Sequence, residues 1–121
     1  MKLGTLCSGT DSPVPVLKKL SKALHGKLKI EHVFSCEHAP KKREWIRDNF
    51  GNLEYLFDDV KDLCTGEAHN CITGTTVLVP AVDIVIAGFV CKSVSMENKE
   101  RGQFANCIRD VTGKTGETLK E

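Results

Sequence analysis

The sequence predicts an α/β fold, a Rossmann-like parallel sheet with strand order 3-2-1-4 and flanking helices. Strand-like and helix-like segments alternate along the 121 residues, and right-handed crossovers between parallel strands then give that order. The run Val82–Ala87 is apolar except for Asp83. A continuous apolar run of this length is typical of a strand that is covered on both faces.

The first strand and the first helix are predicted near the amino terminus. Lys2–Ser8 is the strand, and Asp11 or Ser12 is the expected N-cap of the helix, with Pro13 in its first turn. Apolar residues then recur at helical spacing, which predicts a face that packs against the sheet. They are Val16, Leu17, Leu20 and Leu24.

The second half of the predicted sheet follows the same alternation. Lys29–Ser35 is the second strand, 39–50 the second helix and Leu53–Leu56 a weaker third strand. Residues 64–76 are rich in turn-forming residues and fit either a short helix or an ordered loop. Val82–Ala87 is then the fourth strand.

The fourth strand has no partner on its outer side in this order. Complete proteins avoid long, flat, apolar edges of this kind because such edges pair with other chains. We therefore expect residues 1–121 to be the first half of a larger doubly wound domain, and we expect self-association through the 82–87 edge.

Composition excludes several classes of protein. The net charge of +1 gives no general attraction to nucleic acid or to anionic membranes. No stretch reaches transmembrane length, so no membrane contact is expected. Six cysteines occur without a CxxC pair and without a secretory signal. This indicates reduced cysteines in the cytoplasm or nucleus, and we expect no metal site.

Polar residues follow three predicted strands. The Ser8–Asp11 turn precedes a helix whose free N–H groups could bind a carboxylate or phosphate. Glu37 could accept hydrogen bonds from ribose hydroxyls, and Asp58-Asp59 could hold an exocyclic amine. An ordinary turn, a solvated glutamate and a polar turn are the respective alternatives. Together the three strand ends indicate a nucleoside-like ligand.

The first turn argues against a dinucleotide. The dinucleotide fingerprint needs a second glycine where Asp11 stands, and a carboxylate there repels a pyrophosphate. A ligand that carries a ribose and a positive charge fits better. S-adenosylmethionine has both.

These residues resemble the amino-terminal part of the catalytic domain of the DNA (cytosine-5)-methyltransferases. The segments occur in the family's order along nearly the whole chain, and the catalytic loop is the most specific of them. They are Leu6-Cys7-Ser8-Gly9 for the first cofactor motif, Phe34-Ser35-Cys36-Glu37 with Asn49-Phe50 for the second, Asp58-Asp59-Val60 for the third, Ala87 to Ser95 for the catalytic loop, and Arg101-Gly102 for its sequel.

The resemblance implies methyl transfer from S-adenosylmethionine to C5 of a DNA cytosine that is flipped out of the duplex, in the nucleus. Cys91 would be the nucleophile that adds to C6; the alternative for this residue is a buried structural cysteine. Ser95 and Arg101 would contact DNA. The implied cofactor-binding residues are Leu6, Cys7, Ser8, Gly9, Glu37 for the ribose, His38, Asp59 for the adenine amine, and Val60.

The sequence also departs from the family pattern. Val90 replaces the proline before the nucleophile, Lys92 replaces a glutamine, Val94 replaces an aromatic residue, and Asp11 replaces a motif glycine close to the cofactor. The family's later motifs are absent from these residues, so we expect no turnover by them alone. A non-catalytic module that binds cofactor or a partner, and an unrelated Rossmann-type nucleotide binder, stay open as alternatives.

Overall fold

The computed structural model describes residues 1–88, and the predicted residues Cys91, Ser95 and Arg101 lie outside that range. Six strands and three helices occupy the described residues. In chain order they are β1 (Lys2–Leu6), α1 (Pro13–Ala23), β2 (Glu31–Cys36), α2 (Pro40–Asn49), β3 (Tyr55–Phe57), α3 (Val60–Leu63), β4 (Glu67–Asn70), β5 (Thr75–Leu78) and β6 (Ile84–Ala87).

The described strands form one mixed sheet in the order β5-β4-β3-β2-β1-β6. The pairs β1–β2, β1–β6 and β2–β3 are parallel, whereas β3–β4 and β4–β5 are antiparallel. The α/β class is therefore confirmed, but the prediction of an all-parallel sheet in the order 3-2-1-4 is not. A β-hairpin extends the sheet beyond β3.

The hairpin lies in the stretch that the sequence left open between a helix and a loop. Its turn ends at Gly74, whose φ of +72° is easily adopted only by glycine, and the Gly74 N–H donates to the Asn70 carbonyl at 2.8 Å. On β4 the residues alternate between exposed and buried, with Ala68 and Asn70 inside. One alanine and one polar residue make a weak strand pattern, which is why the sequence did not predict it.

The core lies in two clusters beside the middle strands. Phe34, Cys36, Phe57 and Ala68 form the first, and the second consists of Ile46, Leu53 and Leu56. Gly4 on β1 faces the first cluster, where a Cβ atom would overlap the ring of Phe34. β1 and β2 therefore approach each other with no room for a larger side chain at this position.

Of the four apolar residues that predict a buried face for α1, Leu17 is half-buried and the other three are exposed in the described part of the chain. Val14 is the buried residue of this helix, while Val16 is 63 % exposed and Leu20 and Leu24 are also exposed. Helical spacing identifies an apolar stripe, but it does not determine which element covers the stripe. Residues 1–88 do not cover this one.

The strand β6 is also more exposed than its apolar sequence predicts. Ile84 and Val85 are 40 % and 50 % exposed, so the prediction of a strand covered on both faces is wrong for the described residues. β6 pairs with β1 and ends the strand order there. None of the described helices is both long and apolar enough to cross a membrane.

Candidate functional site

The turn between β1 and α1 has an unusual backbone. Cys7, Gly9 and Asp11 have φ values of 50°, 59° and 51°, and the left-handed region is uncommon for residues other than glycine. One contact with β2 and one bond within the turn hold this conformation, since the Ser8 N–H donates to the Cys36 carbonyl of β2 at 3.0 Å and the Asp11 N–H donates to the Ser8 carbonyl at 2.8 Å. The turn that the sequence predicts to be the first cofactor motif is therefore bonded to its neighbour strand.

The buried side chain of Asp11 holds this turn against the sheet through hydrogen bonds. Its side chain is fully buried, and its carboxylate accepts hydrogen bonds from the Thr5 hydroxyl at 2.6 Å and from the Ser35 hydroxyl. The sequence predicts that Asp11 brings bulk and negative charge close to a ligand. In the structure its carboxylate is instead bonded within the protein, which is a structural role that the sequence did not reveal.

The imidazole of His32 lies beside this buried carboxylate. Its Nε2 is 3.9 Å from Oδ2 of Asp11 and 3.0 Å from the Ser35 hydroxyl oxygen. Burial lowers the pKa of His32, and the Asp11 carboxylate opposes that effect without overcoming it. Burial therefore favours the neutral form of the imidazole at this position.

Glu37 and Gly9 are two predicted cofactor residues that the structure brings together. Oε2 of Glu37 accepts a hydrogen bond from the Gly9 N–H at 2.6 Å, and Oε1 accepts one from the Ala39 N–H at 2.9 Å. Glu37 is only 7 % exposed. Because a carboxylate oxygen has two lone pairs, each oxygen retains one acceptor site. The carboxylate thus organises the turn and can still meet a hydroxyl group.

Arg43 supports the same loop and was not predicted from the sequence. Its Nη1 donates to the carbonyl oxygens of Glu37, at 2.9 Å, and of His38. His38 itself is exposed. An arginine in the first turn of α2 is the sequence signal that could have indicated this contact. Its guanidinium fixes the path of the chain from β2 into α2.

The third strand end places Asp59 as the N-cap of α3. Its side chain accepts a hydrogen bond from the Lys61 N–H at 2.9 Å, which is the ordinary function of an aspartate at a helix start. Val60 packs against the cluster that contains Phe34 and Phe57. Asp59 therefore has a structural function in the described residues, and it keeps acceptor capacity for a ligand.

A cleft of about 140 Å³ opens at the carboxyl ends of β1 and β6. Its walls are residues 5–8, 11–13 and 86–88, so it includes the predicted residues Leu6, Cys7 and Ser8 and does not include Glu37, His38, Asp59 or Val60. The cleft lies where the strand order changes direction, with β2 on one side of β1 and β6 on the other. Open α/β sheets bind their ligands at such a switch point.

Cys36 lies close to this site but is chemically inert. Burial, and then the nearby Cys7, raise the pKa of its thiol to about 12. Because the thiolate is the nucleophilic form, a buried thiol with this pKa does not react at neutral pH. Among the described cysteines, Cys36, Cys64 and Cys71 carry free thiols.

Comparison with known proteins identifies two curated relatives. No family model matches the chain. A DNA (cytosine-5-)-methyltransferase DMT5 of Cryptococcus neoformans var. grubii is 39 % identical over 125 residues, which cover 99 % of this chain and 5 % of the relative. The protein of the same name in Verticillium dahliae is 30 % identical over 111 residues, or 85 % of this chain and 5 % of the relative. The chain thus spans about 5 % of the length of these relatives.

Proposed function

The chain is related to the DNA (cytosine-5-)-methyltransferases over nearly its whole length, and we propose that it forms part of the wall of an S-adenosylmethionine site and carries the nucleophile for methylation of DNA cytosine. The observation that carries this proposal is the cleft between the carboxyl ends of β1 and β6. It lies at the position where parallel α/β sheets bind nucleoside-containing ligands.

The donor and acceptor groups at the strand ends fit this ligand. S-adenosylmethionine supplies, when bound, a methyl group on a positively charged sulfonium. Glu37 would use the two acceptor sites that its bonds to Gly9 and Ala39 leave over for the ribose hydroxyls. Asp59 would accept a hydrogen bond from the adenine amine beside its capping bond to Lys61.

The cleft would hold only one portion of the ligand. Its volume of about 140 Å³ is smaller than the roughly 300–1,000 Å³ of pockets that enclose a whole ligand of this kind. Leu6, Cys7 and Ser8 would contact the part that enters the cleft, with Gly9 leaving room above the turn. The ribose and the base would extend over the ends of β2 and β3 toward Glu37 and Asp59.

Cys91 follows β6 closely in the sequence and is the proposed nucleophile. Its thiolate would form a bond to C6 of the flipped-out cytosine, and the electron pair that this addition moves to C5 would take up the methyl group. The methyl transfer would leave S-adenosylhomocysteine, and transfer of the C5 proton to a water molecule would then break the bond between sulfur and C6 and restore the thiolate. Ser95 and Arg101 are the proposed DNA contacts, and a nuclear location follows from a DNA substrate.

The second candidate function is a binding module without catalysis. The observation that favours it is that the carboxylates of Asp11 and Glu37 accept hydrogen bonds from the protein's own groups. These residues therefore have a structural function that does not require catalysis. Methyl transfer to DNA that is lost in Cys91→Ser would identify the enzyme. S-adenosylmethionine binding without methyl transfer to DNA, either by this chain or by a longer protein that contains it, would support the binding module.

Calorimetric titration of S-adenosylmethionine tests the cleft directly. We expect saturable binding by the 121-residue chain that weakens at least tenfold in Ala87→Leu, because the larger side chain fills a cleft wall. Ala81→Leu is the matched control, since Ala81 is exposed and lies outside the cleft. Equal affinity of both variants for S-adenosylmethionine would exclude the cleft as the binding site. Preference for NAD would favour an unrelated nucleotide binder, and the absence of any binding would contradict the proposal for this chain.

A further inference from the structure

Three metal-ligating side chains converge away from the cleft, at the junction of β3 and the β4–β5 hairpin. Nδ1 of His69 lies 3.8 Å from Oδ2 of Asp58 and 3.9 Å from Sγ of Cys71. All three ligand atoms lie within 4.8 Å of one another. The three residues are half-buried or exposed, so an ion has access to them from solvent.

The strand geometry accounts for this convergence. Phe57 on β3 pairs with Asn70 on the antiparallel strand β4, so the next residue on β3, Asp58, stands opposite His69. Cys71 is two positions beyond His69, in the turn that follows β4, and its Sγ stays 3.9 Å from Nδ1 of His69. Its N–H donates to the Leu56 carbonyl at 2.7 Å, which holds it beside β3.

The backbone beneath the cluster is firmly held. The buried side chain of Asn70 accepts hydrogen bonds from the Leu56 and Ile72 N–H groups, each at 3.1 Å, and donates to the Glu54 carbonyl at 3.0 Å. This amide ties β3 to the hairpin immediately behind the three ligands. The ligands are thus carried by a preorganised scaffold, which a metal site needs.

We propose that Asp58, His69 and Cys71 bind a zinc ion. A carboxylate oxygen, an imidazole nitrogen and a thiolate are all ordinary zinc ligands, with bond lengths of about 2.0–2.3 Å that place tetrahedral ligand atoms about 3.3–3.6 Å apart. The separations of 3.8 and 3.9 Å, and the separation of at most 4.8 Å between the Asp58 and Cys71 ligand atoms, would have to shorten through side-chain rotation to reach that geometry. Three protein ligands leave the fourth position to water.

The charges around Cys71 act on a bound cation in both directions, since Asp58 attracts it and Arg43 and Arg47 repel it. Burial and the Asp58 carboxylate raise the pKa of the Cys71 thiol, so zinc would have to compete with the thiol proton for this ligand. Coordination replaces the S–H bond by a Zn–S bond and releases the proton to solvent. Arg43 and Arg47 act in the opposite direction to Asp58 on the Cys71 pKa and favour the thiolate.

The expected consequence of zinc binding is a hairpin that is fastened to the sheet. β3 and β4 share one paired position in the described residues, and an ion that links Asp58 to His69 and Cys71 would add to the hydrogen bonds by which Asn70 and Cys71 already hold the hairpin to β3. Zinc that binds the folded state and not the unfolded state raises the melting temperature. This inference does not use the cleft or Cys91, so its failure would leave the proposed function unaffected.

The test is a zinc titration of the untagged, metal-free 121-residue chain against a chromophoric chelator. We expect one ion per chain, with affinity lowered at least tenfold in His69→Ala, Cys71→Ser and Asp58→Asn. Cys64→Ser is the matched control, because Cys64 is exposed and does not belong to the cluster. Cobalt provides a second readout, since its thiolate charge-transfer band should disappear in Cys71→Ser and persist in Cys64→Ser.

Thermal unfolding separates metal binding from folding. Zinc should raise the melting temperature of the native chain and of Cys64→Ser, but not that of His69→Ala. His69 is 47 % exposed, so this variant is expected to fold in the absence of metal. Substoichiometric binding, or binding that survives both His69→Ala and Cys71→Ser, would overturn the proposal. So would loss of the ion in Cys91→Ser, which would assign it to other thiols.

Discussion

The carboxylate of Glu37 accepts a hydrogen bond from the backbone N–H of Gly9 at 2.6 Å, across 28 positions of the chain. This bond joins the end of β2 to the turn after β1. The two segments that the sequence identifies as the first and second cofactor motifs are therefore linked to each other within the protein. Gly9 has a φ of 59°, so it presents its N–H from a conformation that glycine adopts without strain.

Replacement of Glu37 by alanine should destabilise the fold. The partly buried Gly9 and Ala39 N–H groups would lose their acceptor, and because water can reach them in part we expect a loss of about 1 kcal/mol, at the lower end of the cost of an unsatisfied buried donor. Urea unfolding measures the difference. Glu31→Ala is the control on the same strand, because Glu31 is exposed, and we expect a change within about 0.5 kcal/mol. Similar losses of unfolding free energy in both variants would show that the bonds of Glu37 to Gly9 and Ala39 do not contribute measurably to stability.

Gly4→Ala should also lower the free energy of unfolding. The added methyl group would overlap the Phe34 ring, and overpacking of a core costs about 1–3 kcal/mol. Gly51→Ala is the matched substitution, since nothing lies within 4 Å of its Cβ position, and we expect no loss of stability there. Chemical denaturation of both variants is the measurement. A stable Gly4→Ala protein would mean that the β1–β2 contact adapts easily.

The stability of the chain should fall as pH decreases through about 6.5, the ordinary histidine pKa. Burial lowers the pKa of His32 in the folded state, so the unfolded chain takes up its proton at a higher pH than the folded chain does. The unfolded state then binds more protons, and stability rises with pH in this window and is lost on acidification. Below the lowered pKa of His32 in the folded state, the contribution of His32 to the pH dependence of stability should level off.

Urea unfolding at pH 7.5, 6.5 and 5.5 measures this dependence. We expect a smaller decline in His32→Gln than in the native chain, whereas His38→Gln should behave like the native chain, because His38 is exposed. Identical pH profiles for His32→Gln and the native chain would show that the histidine near Asp11 and Lys18 is not the titrating group.

Cys36 should resist thiol reagents while the protein is folded. With a pKa of about 12, its thiolate would be about one molecule in ten thousand at pH 8, whereas Cys64 is exposed. We expect the exposed thiols of the folded chain to react with a disulfide reagent in a fast kinetic phase. Cys64→Ser should reduce the amplitude of this phase, and Cys36→Ser should leave the amplitude unchanged. Cys36 should react when denaturant is added. A fast phase that is lost in Cys36→Ser would contradict its burial.

Much of the fold follows from local signals in the sequence. Predicted strand ends such as Ser8 and Ala87 lie within two residues of the observed ends, because apolar runs, proline and glycine act over a few residues. The hairpin could not be predicted in this way. Its first strand buries Ala68 and Asn70, and that pattern gains meaning only when β3 lies beside it.

The sequence by itself determined the alternation of strands and helices, the relationship to the DNA (cytosine-5-)-methyltransferases, and the placement of Gly9, Glu37 and Asp59 at successive strand ends. These properties depend on residue type and order along the chain. The tertiary structure alone decided that Asp11 is a buried anchor, that Glu37 bonds to Gly9, and that Asp58, His69 and Cys71 meet. Hydrogen bonds and ligand clusters form between residues that are distant in sequence, so they depend on strand pairing and burial, which no local pattern specifies.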